Sequence, residues 1–299
     1  CWYYLRYLDP KNKNFLVSKE IEKKWMPVDL YVGGAEHAVL HLLYARFWHK
    51  VLYDVGAVST KEPFKKLLNQ GMIQGSDGQK MSKSRGNVVN PDDVIEKYGS
   101  DVFRMYEMFM GPFEGSAPWN TDGISGIKRF LNRSWKMLLS ESIENDPNEK
   151  DRHKMIIKVT EDLEKFSLNT CISSLMIYLK HLEENGVSEK DKKSFLRVLS
   201  PFAPHMCEEI NLIQKGETLA CQMSWPKGDP AKSIDDLIEI PIMVNGKLRS
   251  KIQVEKSDAS NQEYLEEMSL KEKNVINFLD GRNPKKIIVI KEKIVNIVV

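Results

Sequence analysis

The sequence predicts an α/β segment, then an all-α segment, then a small α+β module. In the first segment, a short apolar run ends at Gly33-Gly34 and is followed by apolar residues at helical spacing. In the second, helical spacing continues from 123 to about 213, and in the third apolar and polar residues alternate on both sides of Asn245-Gly246. These periods identify the classes, because a helix face repeats about every 3.6 residues and a strand face every two.

Composition narrows the class of protein only a little. At 299 residues with 41% hydrophobic and 29% charged residues, the chain is long enough for two or three ordinary domains. No apolar run of about 18 residues occurs, so we expect no membrane segment and a cytoplasmic location. The cysteines form no CxxC pair, which predicts neither a metal site nor a disulfide framework; they are Cys1, Cys171, Cys207 and Cys221.

The α/β segment begins with a predicted strand at 27–32, the double glycine and a predicted helix at 35–53. Glycines at a helix start let a ligand approach the backbone. Glu36, His37 and His41 fall at the start of this helix, where an i, i+4 spacing puts both imidazoles on one side. The pair could bind zinc, although no third ligand is near; it could pack in the core; or it could line a small-molecule pocket beyond the strand.

A glycine-bounded cationic stretch at 75–87 follows, with the sequence GSDGQKMSKSRGN. Glycine and serine favour turns over strands or helix interiors, so we predict a loop. Such a loop can present the ammonium groups of Lys80 and Lys83 to a strongly anionic ligand, with serine hydroxyls adding hydrogen bonds. The alternative is an ordinary solvated surface loop.

The order of residues favours the ligand-binding interpretation. Residues 80–84 read KMSKS, which is identical to the signature of class I aminoacyl-tRNA synthetases, and residues 31–47 resemble the leucyl-tRNA synthetases. The resemblance implies the second half of a Rossmann-type catalytic domain that uses ATP with Mg²⁺. It implies catalytic roles for Lys80 and Lys83, and ATP binding by Lys80, Met81, Ser82, Lys83 and Ser84. It also implies a leucine and adenylate pocket formed by Tyr31, Gly33, Gly34, Glu36, His37 and His41.

Capping residues predict the next helices. Asn90 can cap a helix that starts at Pro91, and Ser100 can cap a second helix that runs to about Met110. After a Gly/Pro/Trp linker we predict a bundle with helices near 151–166, 168–185, 188–199 and 203–214. Residues 199–205 resemble a segment of the helical anticodon-binding domain of these synthetases, and we expect His205 to be a packing or capping residue. Two cations of the bundle, Arg129 and Arg133, are candidate tRNA contacts or simply solvated arginines.

The C-terminal module is predicted as ββααββ. Asn245-Gly246 supplies a two-residue hairpin turn between alternating strands, and helices near 261–271 and 275–279 precede strands at 286–290 and 294–298. The module resembles the C-terminal domain of bacterial leucyl-tRNA synthetases, which implies tRNA contact. The candidate contacts could equally be solubilising charges on edge strands; they are Lys247, Arg249, Lys251, Lys285 and Lys286.

The resemblance predicts a catalytic half-domain at 1–115, an anticodon-binding domain at 116–220, a linker at 221–236 and a tRNA-binding module at 237–299. It implies a leucine–tRNA ligase whose partners are leucine and tRNA-Leu. The family's His-Ile-Gly-His signature, its editing domain and an insertion before KMSKS have no match here. We therefore expect the chain to be inactive until an N-terminal half joins it, in cis or in trans. The alternatives are a non-catalytic tRNA-binding fragment, or a piece of an isoleucyl-, valyl- or methionyl-type enzyme.

Overall fold

The computed structural model describes residues 1–234, 237–279 and 281–299 and divides the chain into two compact units. The first unit comprises residues 1–148 and 155–227, and the second comprises 149–154 and 228–299. The last two residues of the predicted linker, 235–236, lie outside the described residues. No helix of the described chain is both long and apolar enough to cross a membrane.

The first unit opens with helices α1 (Tyr3–Leu8), α2 (Lys19–Trp25) and α3 (His41–Asp54). The predicted strand at 27–32 is shorter than expected: only β1 (Tyr31–Val32) forms, in parallel with β2 (Leu67–Leu68). The predicted helix at 35–53 is also wrong at its start. Residues 35–38 form a 3-10 turn, and the backbone of Leu40 (φ −113°, ψ −106°) leaves the helical region, so that α3 begins at His41.

A second parallel pair, β3 (Ile73–Gln74) with β4 (Ala117–Pro118), supports the segment that contains the lysines. Between its strands lie α4 (Pro91–Tyr98) and α5 (Ser100–Phe109). Asn90 caps α4 as predicted, because its side chain accepts a hydrogen bond from the Asp92 N–H. The prediction for Ser100 is wrong: Gly99 occupies the cap position of α5, and the Ser100 hydroxyl lies 3.2 Å from Nδ1 of His205 instead.

Five helices form the bundle: α6 (Thr121–Leu138), α7 (Glu149–Glu164), α8 (Leu168–Asn185), α9 (Glu189–Leu199) and α10 (Pro204–Ile213). Their inward faces bury large apolar side chains completely, among them Phe195, Leu175 and Tyr178. Asp101 of α5 caps α10, since its Oδ2 accepts the Met206 N–H at 2.7 Å and its Oδ1 lies 2.8 Å from His205 Nδ1. His205 is therefore a capping partner, as predicted.

The second unit contains strands β5 (Leu237–Val244), β6 (Lys247–Glu255), β7 (Lys286–Ile290) and β8 (Ile294–Val298), with α11 (Gln262–Lys271) and α12 (Lys273–Leu279). The strand order is β6-β5-β8-β7, with β5 and β8 parallel and the other pairs antiparallel. Asn245 and Gly246 both have positive φ (48° and 76°), which is the backbone of a type I′ turn. The ββααββ prediction is confirmed, and a register shift after Ile242 leaves Leu248 exposed.

Candidate functional site

The cationic segment is a loop whose base is fixed to the sheet and to the helices. Gln74 of β3 forms an antiparallel bridge with Lys80, and the Gly75 N–H donates to the Gln79 carbonyl at 2.9 Å. Gly78 closes the turn between them with a φ of 70°, a value that favours glycine. Met81 is half-buried and packs against the core of the bundle. The backbone is thus fixed on both sides of Lys80, by the turn before it and by the packing of Met81 after it.

The cations of the loop face solvent. Lys83–Arg85 form one 3-10 turn, which ends at Gly86 in the left-handed conformation. Lys80, Lys83 and Arg85 are exposed, and no carboxylate of the described chain forms an ion pair with them. The Ser82 and Ser84 hydroxyls lie 3.1 Å apart beside these cations. The loop therefore offers the unpaired Lys80 and Lys83 ammonium groups and two hydroxyls, which suits a polyphosphate, while Arg85 also interacts with the Asp77 carboxylate.

A cluster of aromatic and imidazole rings lies at the end of β1. His41, the first residue of α3, lies between Tyr31, whose ring centroid is 5.7 Å away, and Tyr3 of α1, at 5.3 Å. The Tyr3 hydroxyl is 3.3 Å from His41 Nε2. The His37 ring meets the His41 ring edge-on at 6.3 Å, so the two imidazoles are neighbours although they do not share a helix.

Burial shifts the pKa values of two groups in this cluster. Burial is the main cause that lowers the pKa of His41, so this imidazole is neutral near neutral pH. Burial also raises the pKa of Tyr31. His37 Nδ1 is buried with no hydrogen-bond partner in the described chain. An unsatisfied buried polar atom costs roughly 1–3 kcal/mol, so this atom favours a ligand that bonds to it.

The double glycine allows neighbouring side chains to fold back over the strand end. A Cβ on Gly33 would lie 2.7 Å from the Tyr31 ring, and one on Gly34 would lie 2.3 Å from the Glu36 carboxylate. Gly34 and Glu36 also line a cavity of about 570 Å³ together with Leu67, residues 69–72, Glu114 and Ser116. Tyr31, His37 and His41 do not line this cavity, so the predicted pocket residues divide between the ring cluster and the cavity. No group of three or more His, Cys, Asp or Glu side chains within the described ranges could hold a metal ion.

The candidate tRNA contacts of the bundle differ in their surroundings. Arg133 is engaged by Glu183, whose carboxylate accepts hydrogen bonds from both Nε and a terminal nitrogen of the guanidinium. Arg129 lies exposed on the same helix, α6. The Glu183 carboxylate partly neutralises Arg133, so Arg129 is the more available of the two predicted contacts.

In the second unit the candidate cations separate into two groups. Arg249 lies over the Phe278 ring at 3.8 Å, and Lys251 pairs with Glu239 at 2.8 Å. Lys247 stands opposite Val244, and Lys286 stands opposite Val298, so both occupy the same end of the sheet on its two edge strands. Three strand spacings separate these edges by about 14 Å. Lys285 directly precedes Lys286 and extends this basic end.

The sequence analysis did not identify two residues of the site, Tyr3 and Asn87. Tyr3 contacts His41 from a helix far away in the sequence, and only the aromatic run at residues 2–4 could have drawn attention to it. Asn87, which follows the lysine pentapeptide, hydrogen-bonds to several parts of the loop. The sequence signal that could have identified Asn87 is its position at the end of the glycine-bounded segment 75–87.

Comparison with known families matches both parts of the chain. Residues 13–115 match a model described as tRNA synthetases class I (I, L, M and V), and residues 150–265 match the anticodon-binding domain of tRNA ligase. The chain is similar to a LeuRS of Agrobacterium radiobacter, solved as a ternary complex with tRNA and LeuAMS. The two share 32% identity and a TM-score of 0.74 over 99% of this chain and 41% of that one.

A second solved structure is similar in fold. It is the methionyl-tRNA synthetase of Mycobacterium tuberculosis bound by methionyl-adenylate, with 17% identity and a TM-score of 0.51. The match covers 70% of this chain and 47% of that one. The chain therefore spans less than half the length of either protein.

Proposed function

Since this chain belongs to the class I aminoacyl-tRNA synthetases, we propose that it supplies the KMSKS loop and the amino-acid pocket of a leucine–tRNA ligase. In the proposed reaction a leucine carboxylate oxygen attacks the α-phosphorus of ATP. The bond to the β-phosphate oxygen breaks, and leucyl-adenylate and pyrophosphate form. The leucyl group then passes to the terminal ribose of tRNA-Leu, and AMP leaves. The observation that carries the proposal is the exposed, uncompensated lysine pair of the KMSKS loop.

In this account the loop acts by electrostatic stabilisation. Negative charge grows on the pyrophosphate as the bond breaks, and Lys80 and Lys83 stabilise it without a competing carboxylate. The Ser82 and Ser84 hydroxyls donate hydrogen bonds to the same oxygens. Mg²⁺ would reach the site on the ATP phosphates, whose oxygens and bound waters are its usual ligands, and would neutralise part of their charge.

The ring cluster and the double glycine would hold the amino acid. Tyr31, Tyr3 and the neutral His41 form an apolar wall that does not repel the leucine ammonium group. The exposed Glu36 carboxylate can accept hydrogen bonds from that ammonium group or from a ribose hydroxyl. Such a pocket discriminates by only ~1–3 kcal/mol per methylene, so leucine is favoured over valine by shape alone.

An N-terminal catalytic half would cover the apolar surface of the first 70 residues. The β1–β2 pair has only two strands, and its edges remain open to further pairing. Large apolar side chains of the first 50 residues are exposed, which marks an interaction surface; they are Trp2, Tyr7, Phe15, Trp25, Leu43, Tyr44, Phe47 and Trp48. A second part of a Rossmann-type sheet would pair with those edges and bury these side chains.

The remaining parts of the chain would bind tRNA. We assign residues 116–220 to the anticodon region and 237–299 to a more distant part of the tRNA. The basic end of the sheet at Lys247, Lys285 and Lys286 would contact phosphates, because it pairs with no carboxylate of the described chain. Such binding weakens steeply as salt rises.

The test is amino-acid-dependent ATP–pyrophosphate exchange by this chain joined to an N-terminal half. We expect exchange with leucine and at least tenfold less with isoleucine, valine or methionine at equal concentration, since ~1–3 kcal/mol separates close analogues. Exchange that prefers methionine would overturn the leucine assignment. No exchange with any amino acid, together with salt-sensitive tRNA binding, would support the non-catalytic tRNA-binding alternative.

A further inference from the structure

One side chain hydrogen-bonds to three separate parts of the KMSKS loop. Asn87 Nδ2 lies 3.1 Å from each carboxylate oxygen of Asp77 and 3.4 Å from the Lys80 carbonyl oxygen. Asn87 Oδ1 accepts a hydrogen bond from the Ser82 N–H at 2.9 Å. The amide therefore connects the turn before the pentapeptide, its first residue and its third residue.

Asp77 is the fixed partner of this amide. Its Oδ1 also accepts the Gln79 N–H at 3.0 Å. Hydrogen bonds from the Gln79 N–H and from Asn87 lower the pKa of Asp77, so it is a carboxylate at neutral pH. A Cβ on Gly75 would lie 2.7 Å from both Asn87 Nδ2 and Asp77 Oδ1, so only glycine leaves room for the pair.

We propose that Asn87 and Asp77 are positioning residues, which hold residues 80–82 in the shape that directs the two lysines to the ATP phosphates. The inference rests on the proposed function and names residues outside the pentapeptide. Fixing the Lys80 carbonyl and the Ser82 N–H fixes the peptide planes on both sides of Met81. The lysines then leave the loop in one direction before substrate binds.

The chemistry of the contacts requires an amide at position 87. The side chain must donate to a carboxylate and accept from a backbone N–H at the same time. Asparagine does both, whereas an ionised aspartate only accepts and alanine does neither. Without the amide, the loop backbone would bond to water and sample more conformations, and a misplacement of about 1 Å can cost ~10²-fold in rate.

The arrangement allows a test by exchange of the two residues. Asn87→Asp keeps the acceptor for the Ser82 N–H but removes the donor and places two carboxylates together. In the double variant Asp77→Asn/Asn87→Asp, the amide donates from position 77 and the carboxylate accepts at 87. One hydrogen bond of the pair is thereby rebuilt with its direction reversed, whereas the second contact between the two side chains and the contact to the Lys80 carbonyl are lost.

The variants are compared in leucine-dependent pyrophosphate exchange, with this chain joined to an N-terminal half. For Asn87→Asp we expect kcat to fall roughly 10- to 100-fold with KM for leucine unchanged. The double variant should recover to within about fivefold of wild type, because the coupling between contacting residues is restored. Asn14→Asp makes the same charge change on an exposed loop and should have no effect.

Limited trypsin digestion gives a second measurement that does not depend on activity. Cleavage after Lys80, Lys83 and Arg85 should accelerate in Asn87→Asp and return toward the wild-type rate in the double variant, with the melting temperature unchanged. If the wild-type enzyme shows no exchange, the proposed function fails, and the digestion pattern still tests the loop. Unchanged exchange and unchanged cleavage in Asn87→Asp would overturn the positioning role. A double variant no better than Asn87→Asp would also overturn it.

Discussion

The first 70 residues and the helical bundle, both in the first unit, bury their apolar side chains to very different extents. Around α1, α2 and α3 the buried apolar cluster is small and consists of Tyr4, Leu5, Met26, Ala45 and Val58. The bundle buries a continuous core that includes whole aromatic rings. Large side chains such as Phe15 and Trp25 remain exposed in the first region, whereas Phe195 and Phe202 are fully buried in the bundle.

This difference supports the proposal that the bundle is complete by itself and that another part of a protein completes the first region. The bundle has the buried area to stay folded by itself, since each fully buried large apolar side chain contributes roughly 1.5–3 kcal/mol. The first region carries the proposed amino-acid pocket on a small core, and its apolar surface is available to a further catalytic segment. Chemistry would then take place where two pieces meet.

The largest expected effect is on the folding of the bundle. Phe195→Ala removes a fully buried ring and should lower the free energy of unfolding by about 3–5 kcal/mol. The midpoint of urea unfolding, followed by circular dichroism, measures the loss. Phe15→Ala removes an equal ring that is 70% exposed and should change stability by less than about 0.5 kcal/mol. Equal losses in both variants would contradict the contrast between the regions.

The next largest effect is on catalysis, with no change in the stability of the fold. Lys83→Ala should reduce kcat of leucine-dependent pyrophosphate exchange about 10²- to 10³-fold, because it removes one preorganised group that stabilises negative charge in the transition state. Stability should not change, because Lys83 is exposed. The matched control is Lys23→Ala on the surface of α2. A Lys83→Ala enzyme with full exchange activity would exclude the loop from the chemistry.

A smaller effect is expected from the aromatic wall. Tyr3→Phe keeps the ring but removes the hydroxyl that lies 3.3 Å from His41 Nε2. A single hydrogen bond contributes ~0.5–1.5 kcal/mol, so KM for leucine should rise about two- to tenfold with kcat nearly constant. Tyr264→Phe, in α11 of the second unit, is the control. An unchanged KM would place the amino acid elsewhere than beside His41.

Sequence reasoning succeeded where local chemistry determines the structure. Asn90 before Pro91 predicts the start of α4, and Asn245-Gly246 predicts the hairpin, because each conformation depends on neighbouring residues. It failed where distant residues decide. Ser100 was expected to cap its own helix, but it contacts His205 about a hundred residues later.

The candidate site shows the same limit. The KMSKS lysines are visible in the sequence, yet the break at Leu40 separates His37 from α3, and apolar spacing cannot reveal a change of backbone angles. Tyr3 joins the ring cluster only through the packing of α1 against α3. Local patterns thus found the cationic loop, whereas the geometry of the pocket required the fold.

The smallest expected effect concerns the pH dependence of the bundle. Burial raises the pKa of Asp162, but hydrogen bonds from Lys158 and Thr170 outweigh burial and hold this pKa below its usual value. A carboxylate with a lowered pKa stabilises the fold above its unfolded pKa, and the contribution is lost as pH falls through the folded pKa. Asp162→Asn should therefore cost stability at neutral pH and progressively less below about pH 4.

The urea midpoints of wild type and Asp162→Asn are measured from neutral to acid pH. The difference between the two midpoints should shrink as pH falls. Asp54→Asn, at the exposed end of α3, serves as the control and should show a difference that is small at every pH. A constant difference between wild type and Asp162→Asn from neutral to acid pH would contradict the assignment.

Leucine-dependent pyrophosphate exchange by this chain alone, by an N-terminal catalytic half alone, and by the two mixed tests whether another part of the protein completes the pocket. We predict exchange only in the mixture, rising with the concentration of the added half until the exposed surface of the first 70 residues is saturated. Full exchange by this chain alone would contradict the claim that its pocket is completed by another part of the protein.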